Sequence, residues 1–230
     1  RDLFMTPGPS VMPDRVLNAM HQAAPNIYEG ELIDTTDSIL SDLAAFAGTQ
    51  GRTALYICNG HGVWEAAISN LFEPGDQVLV LNSGTFGGGW ANLARVMGID
   101  VIELDFGRHD PIDPDQLRDQ LSADKAHNIK GVLGVHTDTA SSVLNDLPAI
   151  RRAIDDAGHP ALFVVDAIAS FGCDRYEMDA WGIDAAYSGT QKCLSCPPGL
   201  SPVSFSERAL ERVHARKTRV QSWYLDVTLL

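Results

Sequence analysis

Five short apolar runs, each followed by a turn and most then by a helical stretch, leave this chain few folds to adopt. TALYIC (53–58) leads through NGHG into WEAAISNLF, and QVLVL (77–81) leads through NSGTFGGG into WANLARVMG. DVIEL (100–104) precedes a helical pattern over 114–121, KGVLGV (130–135) precedes one over 147–157, and ALFVV (161–165) ends on Asp166. Residues 185–187 (AAY) and 202–205 (PVSF) supply two more strands. Runs that are apolar at nearly every position belong to strands covered on both faces. Their alternation with helices predicts an α/β fold, a mainly parallel, seven-stranded sheet with helices on both faces.

The chain has 230 residues, 45% of them hydrophobic, so one large core is the default. The formal net charge of −13 argues against a nucleic-acid or anionic-membrane partner, which would need clustered Lys and Arg. No apolar run is long enough to span a bilayer, and RDLFMTPGPS carries no signal-peptide pattern. Cys58, Cys173, Cys193 and Cys196 are too few for a disulfide framework in a chain of this size. Cys193 and Cys196 form a CxxC with no second ligand pair for a structural metal, and Pro197-Pro198 forbids the helix that a thioredoxin-like motif would open. The expectation is reduced cysteines in a cytoplasmic protein, with no metal.

In parallel sheets ligands bind at the carboxyl ends of the strands. Asn59-Gly60-His61-Gly62 follows the first strand, where helix-start amides and the helix dipole favour an anion such as phosphate; an ordinary strand-to-helix turn has the same composition. Phe86 follows the second strand on a glycine-rich turn and could stack on a planar ring or face the core. His136-Thr137-Asp138-Thr139-Ala140-Ser141-Ser142 follows the fourth, rich in hydroxyls that serve turns as well as ligands.

Asp166 closes the fifth strand, and a carboxylate there is costly to desolvate without a cationic partner. Lys192 lies in AAYSGTQKCLSCPPGLS, beyond a short apolar strand and before a Cys/Pro/Gly-rich loop. A plain Asp166–Lys192 ion pair is one reading, and Asp166 capping its own following segment is another. A third answers both residues: pyridoxal phosphate, with a protonated ring nitrogen for Asp166, an aldehyde for Lys192 and a phosphate for the NGHG turn.

The stretches TPGPSVMP, NGHGVWEAAISNLFEPGDQVLV, IKGVLGVHTDTASSVLNDL, GHPALFVVDAIASFG, SGTQKCLSCPPGLSPVSFSERA and QSWYLD together resemble class V, fold-type I pyridoxal-phosphate aminotransferases, in particular the serine–glyoxylate and alanine–glyoxylate group. The resemblance runs from about Met5 to the chain end and is most specific at the QK…PPG segment. It implies Lys192 as Schiff-base lysine and general base, and Asp166 as partner of the pyridinium nitrogen. The Gly60 and His61 amides and the Gln191 side chain would hold the phosphate, with Asn59 standing where a small hydroxyl residue is usual. Thr139 would lie near the ring hydroxyl, Phe86 on the ring, and Gly8 near the substrate. Ala140-Ser141-Ser142 replaces the usual Ser-Thr-Gly, which bears on substrate preference.

The implied activity is transfer of an amino group from serine or alanine to glyoxylate or pyruvate by a homodimer. Pyridoxamine–pyruvate or phosphonate aminotransferase chemistry is an alternative, as is a non-catalytic binding module on the same scaffold. Cysteine desulfurase is disfavoured by Gln191, since that group usually has His before the lysine. Residues 1–20 are read as an N-terminal arm and 21–230 as the cofactor-binding large domain. The small C-terminal domain, with its carboxylate-binding arginine and any peroxisomal address, is expected beyond these residues.

Overall fold

A computed structural model describes residues 5–229, so the first four residues of the expected arm and residue 230 lie outside it. Seven strands form one sheet: β1 (Arg52–Tyr56), β2 (Gln77–Asn82), β3 (Asp100–Asp105), β4 (Ile129–Val135), β5 (Leu162–Asp166), β6 (Ala185–Tyr187) and β7 (Ser201–Phe205). Their order is β1-β7-β6-β5-β4-β2-β3. The pairs β6–β5, β5–β4, β4–β2 and β2–β3 are parallel, and β7 alone runs against both of its neighbours. The helices are α1 (Asp14–Met20), α2 (Glu31–Ala47), α3 (Gly60–Leu71), α4 (Thr85–Val96), α5 (Pro114–Ala123), α6 (Leu147–Asp156) and α7 (Glu207–His214).

Successive strand side chains enter two separate cores. Val78, Val80, Leu162 and Val164 join Trp64, Leu71 and Trp90 on one face of the sheet. Leu79, Leu81, Phe163 and Val165 join Leu117, Leu121, Ile150 and Ile154 on the other. Every residue of β5 is buried. That is why the sequence reads as continuous apolar runs, since each pleat position loses water to a helix.

Because β7 runs antiparallel, β6 ends and β7 begins at the same edge of the sheet, and the loop joining them stays there. That loop carries Lys192, and β1, β2, β4 and β5 deliver their carboxyl ends to the same edge. A parallel β7 would instead have required a crossover to the far side.

Some boundaries move. The first strand ends at Tyr56, not at Cys58, because its register runs out where Tyr56 meets Ser201, the first residue of β7. Ile57 turns outward and is 71% exposed. Two of the glycine-rich turns belong to helices: α3 begins at Gly60, and α4 takes in Gly87, Gly88 and Gly89. A Cβ at Gly87 would lie 3.0 Å from the Asn82 Cα, so the glycine permits α4 to lie against the end of β2. The helix α2 had no counterpart in the expected pattern. It exposes Ile33, Ile39 and Phe46 and buries only Ala47, so it carries no clean apolar stripe. Gly48 stops it in the left-handed conformation, φ +65°, donating to the Ala44 and Ala45 carbonyls.

Candidate active site

At the carboxyl edge a cavity of about 350 Å³ is lined by residues from six separate segments, among them Gly8, Asn59, Gly60, His61, Trp64, Phe86, Thr139, Asp166, Gln191 and Lys192. The fold thus brings every sequence-predicted site residue to one place. A larger cleft of about 640 Å³, around Arg151, Asp179 and Arg208, contains none of them.

Asp166 is 3% exposed. Its Oδ1 accepts from the Ile168 amide at 2.7 Å, and its Oδ2 accepts from the Trp64 indole Nε1 at 2.8 Å. Burial pushes its pKa up to about 6, with the two hydrogen bonds and, more weakly, Lys192 opposing that rise. The capping reading is therefore realised through Ile168, whereas Asp166 and Lys192 form no ion pair among the described residues and Lys192 acts at longer range.

Lys192 is held by its backbone. Its amide donates to the Gly189 carbonyl at 3.4 Å, and its carbonyl accepts from Ser10 Oγ at 2.6 Å. The Ser10 amide donates to the Gln191 carbonyl at 2.7 Å, so the N-terminal segment is clamped across the lysine loop. A Cβ on Gly8 would collide with the Lys192 side chain, which explains a glycine there.

The NGHG segment is the first turn of α3. Asn59 is its N-cap, and its Oδ1 accepts from the His61 and Gly62 amides at 3.1 and 3.2 Å. The His61 amide offered to an anion by the sequence reading is thus engaged by the cap. Gly60 permits a close approach, since a Cβ there would come within 2.7 Å of Ile168 Cδ1. The Phe86 ring meets Trp64 edge-on, with centroids 6.1 Å apart.

Two residues that the sequence reading passed over organise this site. Trp64 sits one helical turn beyond Gly60, and that spacing was the available signal that it faces the strand ends. Replacing it with Phe removes a hydrogen bond to a buried carboxylate and should destabilise the protein by about 1.5–3 kcal/mol at pH 8, measured by urea unfolding. At pH 5, with Asp166 largely protonated, the loss should be smaller.

Asp138, fully buried, is the second. Its Oδ2 accepts from the Phe86 amide at 2.7 Å, and its Oδ1 accepts from the Ala140 and Ser141 amides at 2.9 and 3.3 Å. One carboxylate therefore joins the start of α4 to the loop bearing Thr139. Asp138→Ala orphans these donors and should cost about 2 kcal/mol in the same unfolding measurement.

Behind them, His136 Nδ1 lies 2.8 Å from Ser170 Oγ, and burial pushes its pKa down to about 4, so the ring is neutral at pH 7. Asn145 Nδ2 donates to Ser83 Oγ and to the Val135 carbonyl, fastening β2 to β4.

The residues present suit pyridoxal phosphate. A lysine amine and a buried carboxylate face one cavity with aromatic walls and a helix N-terminus. The buried Gln191 Oε1 has no hydrogen-bond partner among the described residues. No cluster of His, Cys, Asp or Glu able to hold a metal occurs among the described residues.

Fold and cavity together define an α/β domain with a candidate ligand site at the strand carboxyl ends, lined by one lysine and one buried carboxylate. The chain belongs to the class-V aminotransferase family, whose model matches residues 4–221. It is 36% identical over 230 residues to the serine–glyoxylate aminotransferase of Methylorubrum extorquens, covering 98% of this chain and 57% of that protein. It is 39% identical over 179 residues to the L-aspartate–glyoxylate aminotransferase of Paracoccus denitrificans, covering 78% of this chain and 45% of the relative. An alanine–glyoxylate aminotransferase structure from Nostoc sp. superposes with a TM-score of 0.91 at 32% identity, covering 97% of this chain and 58% of that one. The chain thus spans about half the length of the curated relatives it matches. No helix among the described residues is long and apolar enough to cross a membrane.

Proposed function

We propose that this chain forms the cofactor-binding part of a pyridoxal-phosphate aminotransferase that moves an amino group from serine or alanine to glyoxylate or pyruvate. The observation that carries the reading is Lys192 and Asp166 facing one cavity of about 350 Å³ between aromatic walls. When bound, pyridoxal phosphate supplies an electrophilic aldehyde and an electron-accepting ring.

Lys192 is the residue that would hold it covalently and then carry a proton to and from the substrate α-carbon. Asp166, held by Trp64 and Ile168, would keep a proton on the ring nitrogen. The Gly60 amide at the start of α3 and the Gln191 side chain would hold the phosphate, and the His61 amide would join them where it leaves the Asn59 cap. Thr139 and Phe86 would position the ring, and Gly8, whose missing side chain makes way for Lys192 itself, would lie near the substrate.

Incubation with pyridoxal phosphate should give a visible absorption band, and borohydride should then fix the cofactor to Lys192. A protein that yields no reducible adduct contradicts the reading and favours a non-catalytic module. Serine, alanine and aspartate, each offered with glyoxylate and with pyruvate to the protein in its natural length, decide the donor. Aspartate is included because of the Paracoccus relative's name. A homodimer, which sedimentation would show, belongs to the same proposal.

A further inference from the structure

Ser10 does more than hold the N-terminal segment down. Its amide donates to the Gln191 carbonyl at 2.7 Å, and its Oγ donates to the Lys192 carbonyl at 2.6 Å. Those two carbonyls belong to the two peptide units that flank the Lys192 Cα. Peptide units are planar, so the orientation of these two fixes φ and ψ of Lys192 and the direction of its Cα–Cβ bond. Contacts within the loop are uneven: the Ser195 amide also donates to the Lys192 carbonyl, at 2.9 Å, whereas the Lys192 amide reaches the Gly189 carbonyl at 3.4 Å. A residue 182 positions away thus grips the chain on both sides of the lysine.

Two residues earlier, Gly8 lies against the Lys192 side chain, where a Cβ would stand 2.4 Å from Cδ and 3.1 Å from Cε. Gly8 and Pro9 also line the cavity. The segment beyond has little packing to hold it, since α1 buries none of its residues and residues 21–30 are all exposed. The Ser10 hydrogen bonds therefore set where Gly8 rests. We propose that Ser10 is a positioning residue for Lys192: it fixes the lysine backbone and lays Gly8 along the side chain, so that the amine faces the cavity. Its consequence for catalysis rests on the aminotransferase reading. There Lys192 must exchange a proton with one carbon of a small substrate, and a displacement of about 1 Å is costly.

The first test needs no cofactor. Ser10→Ala removes the hydroxyl donor and keeps the backbone amide, whereas Ser10→Thr keeps both, and circular dichroism checks the folding of each. The whole chain is exposed to acetic anhydride, and the rate at each lysine is read by peptide mass mapping. With Gly8 no longer held against it, Lys192 should be acetylated several-fold faster in Ser10→Ala, and Ser10→Thr should restore the native rate. Lys125, Lys130 and Lys217, the other lysines of the chain, should keep their rates. An unchanged Lys192 rate in Ser10→Ala, an equal rise at every lysine, or no recovery in Ser10→Thr overturns the proposal.

The second test uses the protein in its natural length, loaded with pyridoxal phosphate and assayed with glyoxylate. Ser10→Ala should lower kcat by about 10-fold with KM little changed, the pattern of a displaced catalytic group, and Ser10→Thr should restore it. An unchanged kcat, or a loss confined to KM, overturns the link from Ser10 to catalysis. Native protein that never yields a borohydride-stable adduct contradicts the aminotransferase reading instead, and the acetylation rates still decide what Ser10 does.

Discussion

Lys192→Ala is expected to abolish the borohydride-stable adduct altogether and to lower transamination by at least about 100-fold, the scale of a lost general base. Mass spectrometry of the reduced protein reads the first effect, and the initial rate with glyoxylate reads the second. The variant should keep its fold. The Lys192 side chain is only half-buried, and the loop is fixed through its backbone by Ser10 and Gly189. Unchanged labelling in Lys192→Ala would show that another amine is the acceptor and that the cavity has been misread.

The second large effect belongs to Asp166→Asn, and it has opposite signs for function and stability. On the proposed reading, loss of the charge would remove the partner of a protonated ring nitrogen in a buried setting, so cofactor affinity should fall by about 2–5 kcal/mol. For the cofactor-free protein the linkage runs the other way. The Asp166 pKa is raised in the folded state, from 3.8 to about 6, so the folded protein holds this proton more tightly than the unfolded chain. Stability from this group is complete below pH 4 and is lost as pH rises through 6. Asparagine has no such titration. The variant's stability relative to the native sequence should therefore improve by about 3 kcal/mol between pH 4 and pH 7, measured by urea unfolding at each pH. A flat difference across that range would mean that Asp166 is ionised normally.

These predictions turn on residues of unequal visibility in the sequence. Asp166 and Lys192 stood out because each is a charge at the end of an apolar run, and burying a charge carries a cost that demands a reason. The continuous runs of β2, β4 and β5 were legible for the same physical cause, burial on both faces. Helix α2 was not, since it buries little and shows no stripe. Trp64 was hidden because an aromatic in a helix reads first as core, and indeed its ring stacks on Trp90 at 5.9 Å. Its hydrogen bond to Asp166 joins residues 102 positions apart, a distance no local pattern can cross. Asp138 looked like turn chemistry, and it does bond its own loop. Its second oxygen, on the Phe86 amide, is what makes it part of the site.

The cysteines show the same division. Spacing drew Cys193 and Cys196 together, and the fold turns their thiols apart, one onto the Ala169 carbonyl and the other onto the Leu194 carbonyl. The sequence by itself determined the layers, and it singled out the strand ends, Lys192 and Asp166. Periodicity and the cost of burying charge are local properties that a chain cannot conceal. Only the tertiary structure decided which donors hold Asp166, that Asn59 engages the His61 amide, that the N-terminal segment clamps the lysine loop, and where the Cys193 and Cys196 thiols turn. Those pairings depend on strand order, above all on β7 running antiparallel so that the Lys192 loop begins and ends at the edge where Asp166 lies.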